Sequence, residues 1–323
     1  MIDLPDPPDP GPGEALVRTH RMGICGTDLS GYLGKMPFFS YPRIPGHELG
    51  LEIVAVGEGV DHVKVGDRCS LEPYVNDPST STSRKGHSNC CPGVQVLGVH
   101  TDGGLRPTWI CPARKLHSGN SLSYDQLALV ETLAIGYHSV VRADPQAGET
   151  VLVIGAGPIG LAALEFLRLH DIRIIVMDMV ESRLQFCREK LGIEHTILFN
   201  PEGSHLSDLE RITDGELANI IIDATGSVKS MSTCFEYAAF TGRVIYVGIT
   251  TEALSFPHAP VFHRRELTLL ASRNALPADF GKIISLIADG QIDTDIWITD
   301  RLAFDDVPAQ FASFTDTSRG TVK

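Results

Sequence analysis

The pattern of hydrophobic and polar positions changes character twice along this chain. Up to about residue 120, short β-type runs such as EALVRTH (14–20), GLEIVAVG (50–57) and CSLEPYV (69–75) are separated by Gly/Pro clusters, which predicts an irregular β-rich module. Residues 121–142 place apolar side chains at helical spacing with no internal proline. After PQAGE, runs suited to a parallel sheet alternate with helices. TVLVIGAG (150–157) reads as a buried strand and PIGLAALEFLRLH (158–170) as a helix with Pro in its first turn. IRIIVMD (172–178) and VESRLQFCREKLG (180–192) repeat the pair. HTILFN, ANIIIDATG, GRVIYVGIT and ELTLLASRN are further strands, with a helix expected over KSMSTCFEYAAF (229–240). From ALPADFGKIISLIADG onward the pattern predicts one helix, then loop and strand pieces returning to the first module. The fold class is α/β plus all-β: a doubly wound parallel-sheet domain at 138–272, inserted into a β-rich domain formed by 1–137 and 273–323.

Composition supports two domains. The 323 residues are 43% hydrophobic, enough for two cores. With 27 Lys and Arg against 40 Asp and Glu, the net charge of −13 disfavours nucleic acid or an anionic membrane surface as partner. Apolar runs such as Ile220–Ile222 fall far short of the roughly 20 residues of a membrane span. The start, MIDLPDPPDPGPGEA, is proline-rich and acidic and has no signal-peptide pattern. Seven scattered cysteines, an odd number, argue against a disulfide framework. A cytoplasmic protein is expected, with STSTSRKG (79–86) as a solvated loop.

Two groups of residues carry chemistry. Gly155-Ala-Gly157-Pro158-Ile159-Gly160 follows a strand and opens a helix, the context in which such glycines let backbone approach a pyrophosphate at a helix N-terminus. Asp178 ends the next strand, 23 residues after Gly155. An acid there bonds a ribose 2′-hydroxyl and repels a 2′-phosphate, favouring NAD, while Arg183 leaves NADP open. In the β-rich module, Cys25 of GICGTD and His47 of GHE lie 22 residues apart. Thiolate and imidazole are ligands zinc prefers, and either Glu48 or Glu131 could complete a three-ligand set with one open position.

The motifs CGTD, PGHELG, VGEGV, VGDR, VETLAIGYHS and GAGPIG occur in the order seen in zinc-dependent medium-chain alcohol dehydrogenases. The likeness runs over nearly the whole chain. VQVLGVHTDGG and SRNALPADFGKIISLIADGQIDT resemble the branch acting on polyols and sugar acids, which includes sorbitol, threonine and galactonate or idonate dehydrogenases. The resemblance implies a Rossmann domain inserted into a GroES-like catalytic domain, and dimers or tetramers of a cytoplasmic enzyme with a small-molecule substrate. It implies that Cys25 and His47 bind one catalytic zinc and that Glu131 stands where this branch has a carboxylate. Glu48 would exchange with Glu131 or water, Asp28 would orient His47, and Thr27 would take the substrate hydroxyl's proton. Zinc would act as a Lewis acid on a secondary alcohol, and NAD would accept the hydride in a cleft between the domains.

The chain also departs from that pattern. Relatives hold a second, structural zinc with four cysteines in the loop that here reads EPYVNDPSTSTSRKGHSNCCPG. Asp77, Thr80 and Ser83 replace three of them and leave Cys91 or Cys90, so the structural zinc is expected to be absent. Ser30 stands where a relay histidine is common, and both ends are shorter than in relatives, which exposes an edge of the β-rich module. Tyr32, Phe38, Phe39 and Tyr41 are candidate pocket walls or ordinary packing. Lys35, Arg43 and Arg273 are candidate carboxylate anchors or surface charges. A different class of reading, an NAD-binding sensor or scaffold without turnover, remains as the alternative.

Overall fold

The computed structural model describes residues 4–316 and 319–323. The chain divides into two compact units, one formed by 1–134 with 275–323 and the other by 135–274.

In the first unit, β1 (Glu14–Gly23) and β2 (Glu48–Val56) form an antiparallel pair whose register slips twice, between Leu16 and Val17 and between Thr19 and Arg21. Such slips bend and twist a strand pair. Alternate residues of β1, Ala15 and Val17, are fully buried, as expected for a sheet with one face in the core. The expected strand 69–75 is split in two. β3 (Arg68–Leu71) stays in the main sheet, Glu72-Pro73 interrupts the ladder, and β4 (Tyr74–Val75) leaves to pair with β5 (Gln95–Val96). With β6 (Thr108–Pro112) and β7 (Leu116–Ser118), the main sheet runs in the order β6-β1-β2-β3-β7. Leu49, Leu51, Ile53, Leu71 and Trp109 lie at the centre of its core.

Helices α1 (Gly26–Tyr32) and α2 (Ser81–Arg84) are additions to the pattern read from sequence. The segment 79–86, expected to be loop, makes α2 because Thr80 caps it, accepting the Ser83 amide at 3.3 Å. Helix α3 (Tyr124–Ala143) is the long apolar helix expected there.

In the second unit, β8 (Thr150–Ile154), β9 (Arg173–Asp178), β10 (His195–Leu198), β11 (Ala218–Asp223), β12 (Ala238–Tyr246) and β13 (Thr268–Ala271) form one parallel sheet, β10-β9-β8-β11-β12-β13. Numbered within the unit this is 3-2-1-4-5-6, the doubly wound order that binds dinucleotides where the winding reverses, here between β8 and β11. All five residues of β8 are buried, as a central parallel strand requires. Helices α4 (Pro158–Leu167), α5 (Glu181–Leu191) and α6 (Ser204–Ile212) connect the early strands.

The helix expected over 229–240 is shorter. Helix α7 (Val228–Thr233) runs into a 3-10 turn (Cys234–Tyr237), and Ala238 already begins β12, opposite Ala218 of β11. Pairing with β11 outweighs the helix propensity of so short an Ala-Ala-Phe piece. The chain returns to the first unit through α8 (Pro277–Ala288), with Pro in its first turn. The described residues beyond α8 contain short helical turns at Phe304–Asp306, Val307–Gln310 and Phe311–Thr315 in place of the expected strand pieces.

Candidate metal and cofactor sites

Cys25 sits where β1 ends and α1 begins, and His47 and Glu48 open β2. Because β1 and β2 are antiparallel, with Gly23 opposite Glu48, two segments 22 residues apart meet at one end of the sheet. The side-chain donor atoms of Cys25, His47 and Glu48 all lie within 4.8 Å of one another. Asp28, from the first turn of α1, links the pair: its Oδ2 accepts the Cys25 amide at 2.9 Å, and its Oδ1 faces His47 Nδ1 at 3.7 Å.

Three buried atoms here have no hydrogen-bond partner: Asp28 Oδ1, His47 Nδ1 and Glu48 Oε2. Orphaned polar atoms in a core are costly. Together with a sulfur, a nitrogen and an oxygen donor at ligand spacing, they fit a zinc ion. The electrostatics agree with a charged group's site. Burial opposes a charge on His47, but Asp28 and then Cys25 outweigh it and raise the imidazole well above its usual pKa. Burial likewise opposes the Glu48 carboxylate, yet Lys323 and then His47 hold it below the usual range. Burial raises Asp28, against the pull of His47.

Glu131 reaches the site from α3 but is not one of the three converging donors. Burial raises its pKa, with His47 opposing and Glu48 reinforcing the rise. Its Oε1 accepts a hydrogen bond from the Tyr74 hydroxyl. Burial, then the charge of Glu131, pushes the Tyr74 phenol well up, so it remains a donor. Glu48 Oε1 is taken by Lys323 Nζ at 2.5 Å. Sequence reading missed both Tyr74 and Lys323. A tyrosine directly after Glu-Pro at the mouth of the cysteine loop was a usable signal for the first; nothing local marks the second. Thr27 is half-buried on the first turn of α1, as is Ser30 one turn on.

The loop at 76–91 is held by side chains bonding one another. Thr80 Oγ1 lies 2.8 Å from Ser83 Oγ and 3.6 Å from Cys91 Sγ, and Asn76 Nδ2 donates to Ser83 Oγ at 3.0 Å. Arg114 grips the Asn76 side chain and carbonyl at 2.8 and 2.6 Å. Hydroxyls and amides stand here where a metal-bound loop needs thiolates. The aromatic residues after α1 pack locally: Tyr41 donates to the Gly31 carbonyl at 2.5 Å and Tyr32 meets Phe311 edge-on at 5.3 Å. Phe39 lies against Tyr41 at 5.9 Å, and Phe38 against His100 at 6.2 Å. Arg43 is committed to Asp102 at 3.0 Å and Ser40 at 2.5 Å, while Lys35 and, in the second unit, Arg273 are exposed.

The nucleotide cradle lies wholly in the second unit, at the end of β8. Gly155 takes φ +96°, and a Cβ on Gly160 would stand 1.8 Å from the Gly155 carbonyl oxygen. A Cβ on Gly157 would meet nothing within 4 Å, so the turn presents bare backbone outward, as a pyrophosphate needs. Pro158 and Ile159 start α4. Asp178 Oδ2 accepts the Ala156 amide at 2.7 Å and Oδ1 the Val180 amide at 2.8 Å, which fixes the carboxylate beside the turn. Arg183 Nη1 stands 3.7 Å from Asp178 Oδ2.

Residues 11–121 match the family described as the alcohol dehydrogenase GroES-like domain, and residues 158–289 the family described as zinc-binding dehydrogenase. The L-galactonate-5-dehydrogenase of Escherichia coli K12 is 37% identical over 298 residues, covering 92% of this chain and 86% of its own. The sorbitol dehydrogenase of Bacillus subtilis 168 is 29% identical, covering 92% and 85%. The crystal structure of an alcohol dehydrogenase (rspB) from E. coli CFT073, complexed with NADH, superposes with a TM-score of 0.88 at 28% identity, over 96% of this chain and 90% of that one.

Proposed function

Because this chain belongs to the zinc-binding dehydrogenases with an alcohol dehydrogenase GroES-like domain, we propose that it oxidises a secondary hydroxyl of a polyol, sugar acid or hydroxy amino acid and delivers the hydride to NAD. The observation that carries this reading is the buried meeting of Cys25, His47 and Glu48 donors within 4.8 Å. Cys25 and His47 hold zinc, and a carboxylate from Glu131 or Glu48 completes the set. When bound, zinc supplies Lewis acidity at the substrate oxygen. Asp28 holds the backbone of Cys25 and turns the His47 ring. Thr27 would relay the substrate hydroxyl's proton, accepting it while its own hydroxyl proton passes on through the ribose to water. Gly155, Gly157, Pro158, Ile159 and Gly160 seat the pyrophosphate, and Asp178 takes the ribose hydroxyls. The acid at Asp178 favours NAD over NADP despite the nearby Arg183.

Two further expectations complete the reading. All seven cysteines are free, which supports a cytoplasmic location. The edge strand β13 exposes Leu269, a place where a second copy can pair to give a dimer or tetramer; light scattering tests it. Zinc-loaded protein should reduce NAD with at least one member of a panel of polyols and sugar acids, and at least about tenfold more efficiently than NADP, or ~1.4 kcal/mol. Binding of both zinc and NAD with no turnover across the panel would replace this reading with the sensor or scaffold.

A further inference from the structure

Between β12 and β13 the chain makes a single π-helical turn, His258–His263. Pro257 and Pro260 lack the amide protons of a regular helical ladder, and the Phe262 amide reaches back five residues to the Pro257 carbonyl at 3.4 Å. That winding decides where the side chains go. In an α-helix, positions five apart point about 140° away from each other. In a turn bonded five residues back they lie about one turn apart on the same face. His258 and His263 accordingly stand side by side, with ring centroids 5.8 Å apart and planes at 43°. Both are exposed. Among the described residues no hydrogen bond or ion pair engages either ring. The turn beneath them is anchored: Val261 is buried, and Phe262 meets Phe235 edge-on at 5.7 Å and Phe256 at 5.4 Å.

We propose that His258 and His263 form a chelating site for a divalent transition-metal ion, nickel or copper before zinc, on the surface of the second unit and separate from the buried donors Cys25 and His47. Imidazole suits all three ions, and affinity rises from nickel to copper and falls back at zinc. Turns of this kind are rare and cluster at functional sites. Here the turn holds both rings on one anchored scaffold, so the second metal bond forms within the chain. The pair therefore outbinds either histidine alone by about 100-fold. Water fills the remaining positions on the ion. With only two protein donors, the pair gives up its metal on desalting and adds nothing to what the purified protein retains. The inference does not depend on the dehydrogenase reading.

The test is calorimetric titration of untagged, desalted protein with nickel(II), for wild type, His258→Gln, His263→Gln, the double variant, Cys25→Ala and His87→Gln, the last an exposed histidine elsewhere. Wild type, Cys25→Ala and His87→Gln are expected to bind nickel with equal affinity. Each of His258→Gln and His263→Gln should weaken it by at least about tenfold. The double variant should add little to either single change, because losing one arm already ends chelation. A single variant that keeps wild-type affinity overturns the proposal, as does wild-type protein that takes up no nickel. Loss of binding in Cys25→Ala would assign the nickel to the buried donors, and loss in His87→Gln would assign it to that histidine; either overturns the proposal. Circular dichroism of the single variants is expected to match wild type. Pulsed electron paramagnetic resonance of wild type with copper(II) needs no variant: two imidazoles on one ion are expected, and one imidazole alone overturns the pair.

Discussion

Glu48 has almost no room to be anywhere else. Lys323 holds one oxygen, and Gly23, across the β1–β2 pair, lets the other lie where any side chain would collide: a Cβ there would stand 2.1 Å from Glu48 Oε2 and 3.1 Å from Glu48 Cβ. Gly23→Ala should therefore push the carboxylate off its lysine, cost ~1–3 kcal/mol of stability by overpacking, and weaken zinc. Thermal melts of metal-free and zinc-loaded protein would show it, and a variant equal to wild type in both would contradict it. The ligand types at this centre were legible in the sequence, because Cys25 and His47 sit in short motifs whose chemistry is local. Their partners were not. Tyr74 and Glu131 are 57 residues apart and Lys323 and Glu48 are 275 apart, so only the folded sheet brings them together.

At the scale of elements, the β8–α4 turn depends on close backbone approach. Alanine at Gly160 would press on the Gly155 carbonyl, which is backbone and cannot swing aside. Gly160→Ala is expected to lower the melting temperature and weaken NAD binding by at least tenfold, or ~1.4 kcal/mol. Calorimetric titration with NAD checks this, and unchanged affinity would argue that the nucleotide lies elsewhere.

Asp223, at the end of β11, gives a pH signature. Burial raises its carboxyl above the usual aspartate range, against hydrogen bonds from Ser230 and Thr225. The native state thus holds this proton more tightly than the unfolded chain. The stability this group contributes is full below the unfolded aspartate value of about 3.9 and is lost as pH rises through the raised folded value. Asp223→Asn removes the dependence, so the melting temperature of the variant relative to wild type should climb as pH rises from about 4 through the raised folded value. A constant difference would contradict the assignment. Most elements here were readable because period and run length agree with their surroundings. The exceptions are instructive: the 229–240 helix yields to strand pairing at Ala238, and α2 forms within an expected solvated loop because Thr80 caps it.

For the molecule as a whole, the motif order carries the family, and the family match spans both units. What the sequence conveyed less directly is how the 76–91 loop keeps its shape. Asp77, Thr80 and Ser83 stand where the resemblance leads one to expect cysteines, whereas the Thr80–Ser83–Asn76–Arg114 bonds emerge only when β4, α2 and the Arg114 turn are brought together. The proposed arrangement is one zinc at Cys25, His47 and a carboxylate, and a 76–91 loop held by side-chain hydrogen bonds. The most direct test is the zinc content per chain of protein purified without chelator or histidine tag, measured for wild type, Cys25→Ala and Cys91→Ser. One zinc is expected in wild type, none in Cys25→Ala and one in Cys91→Ser. No zinc in wild type would contradict the catalytic centre, and two, with one lost in Cys91→Ser, would contradict the metal-free loop.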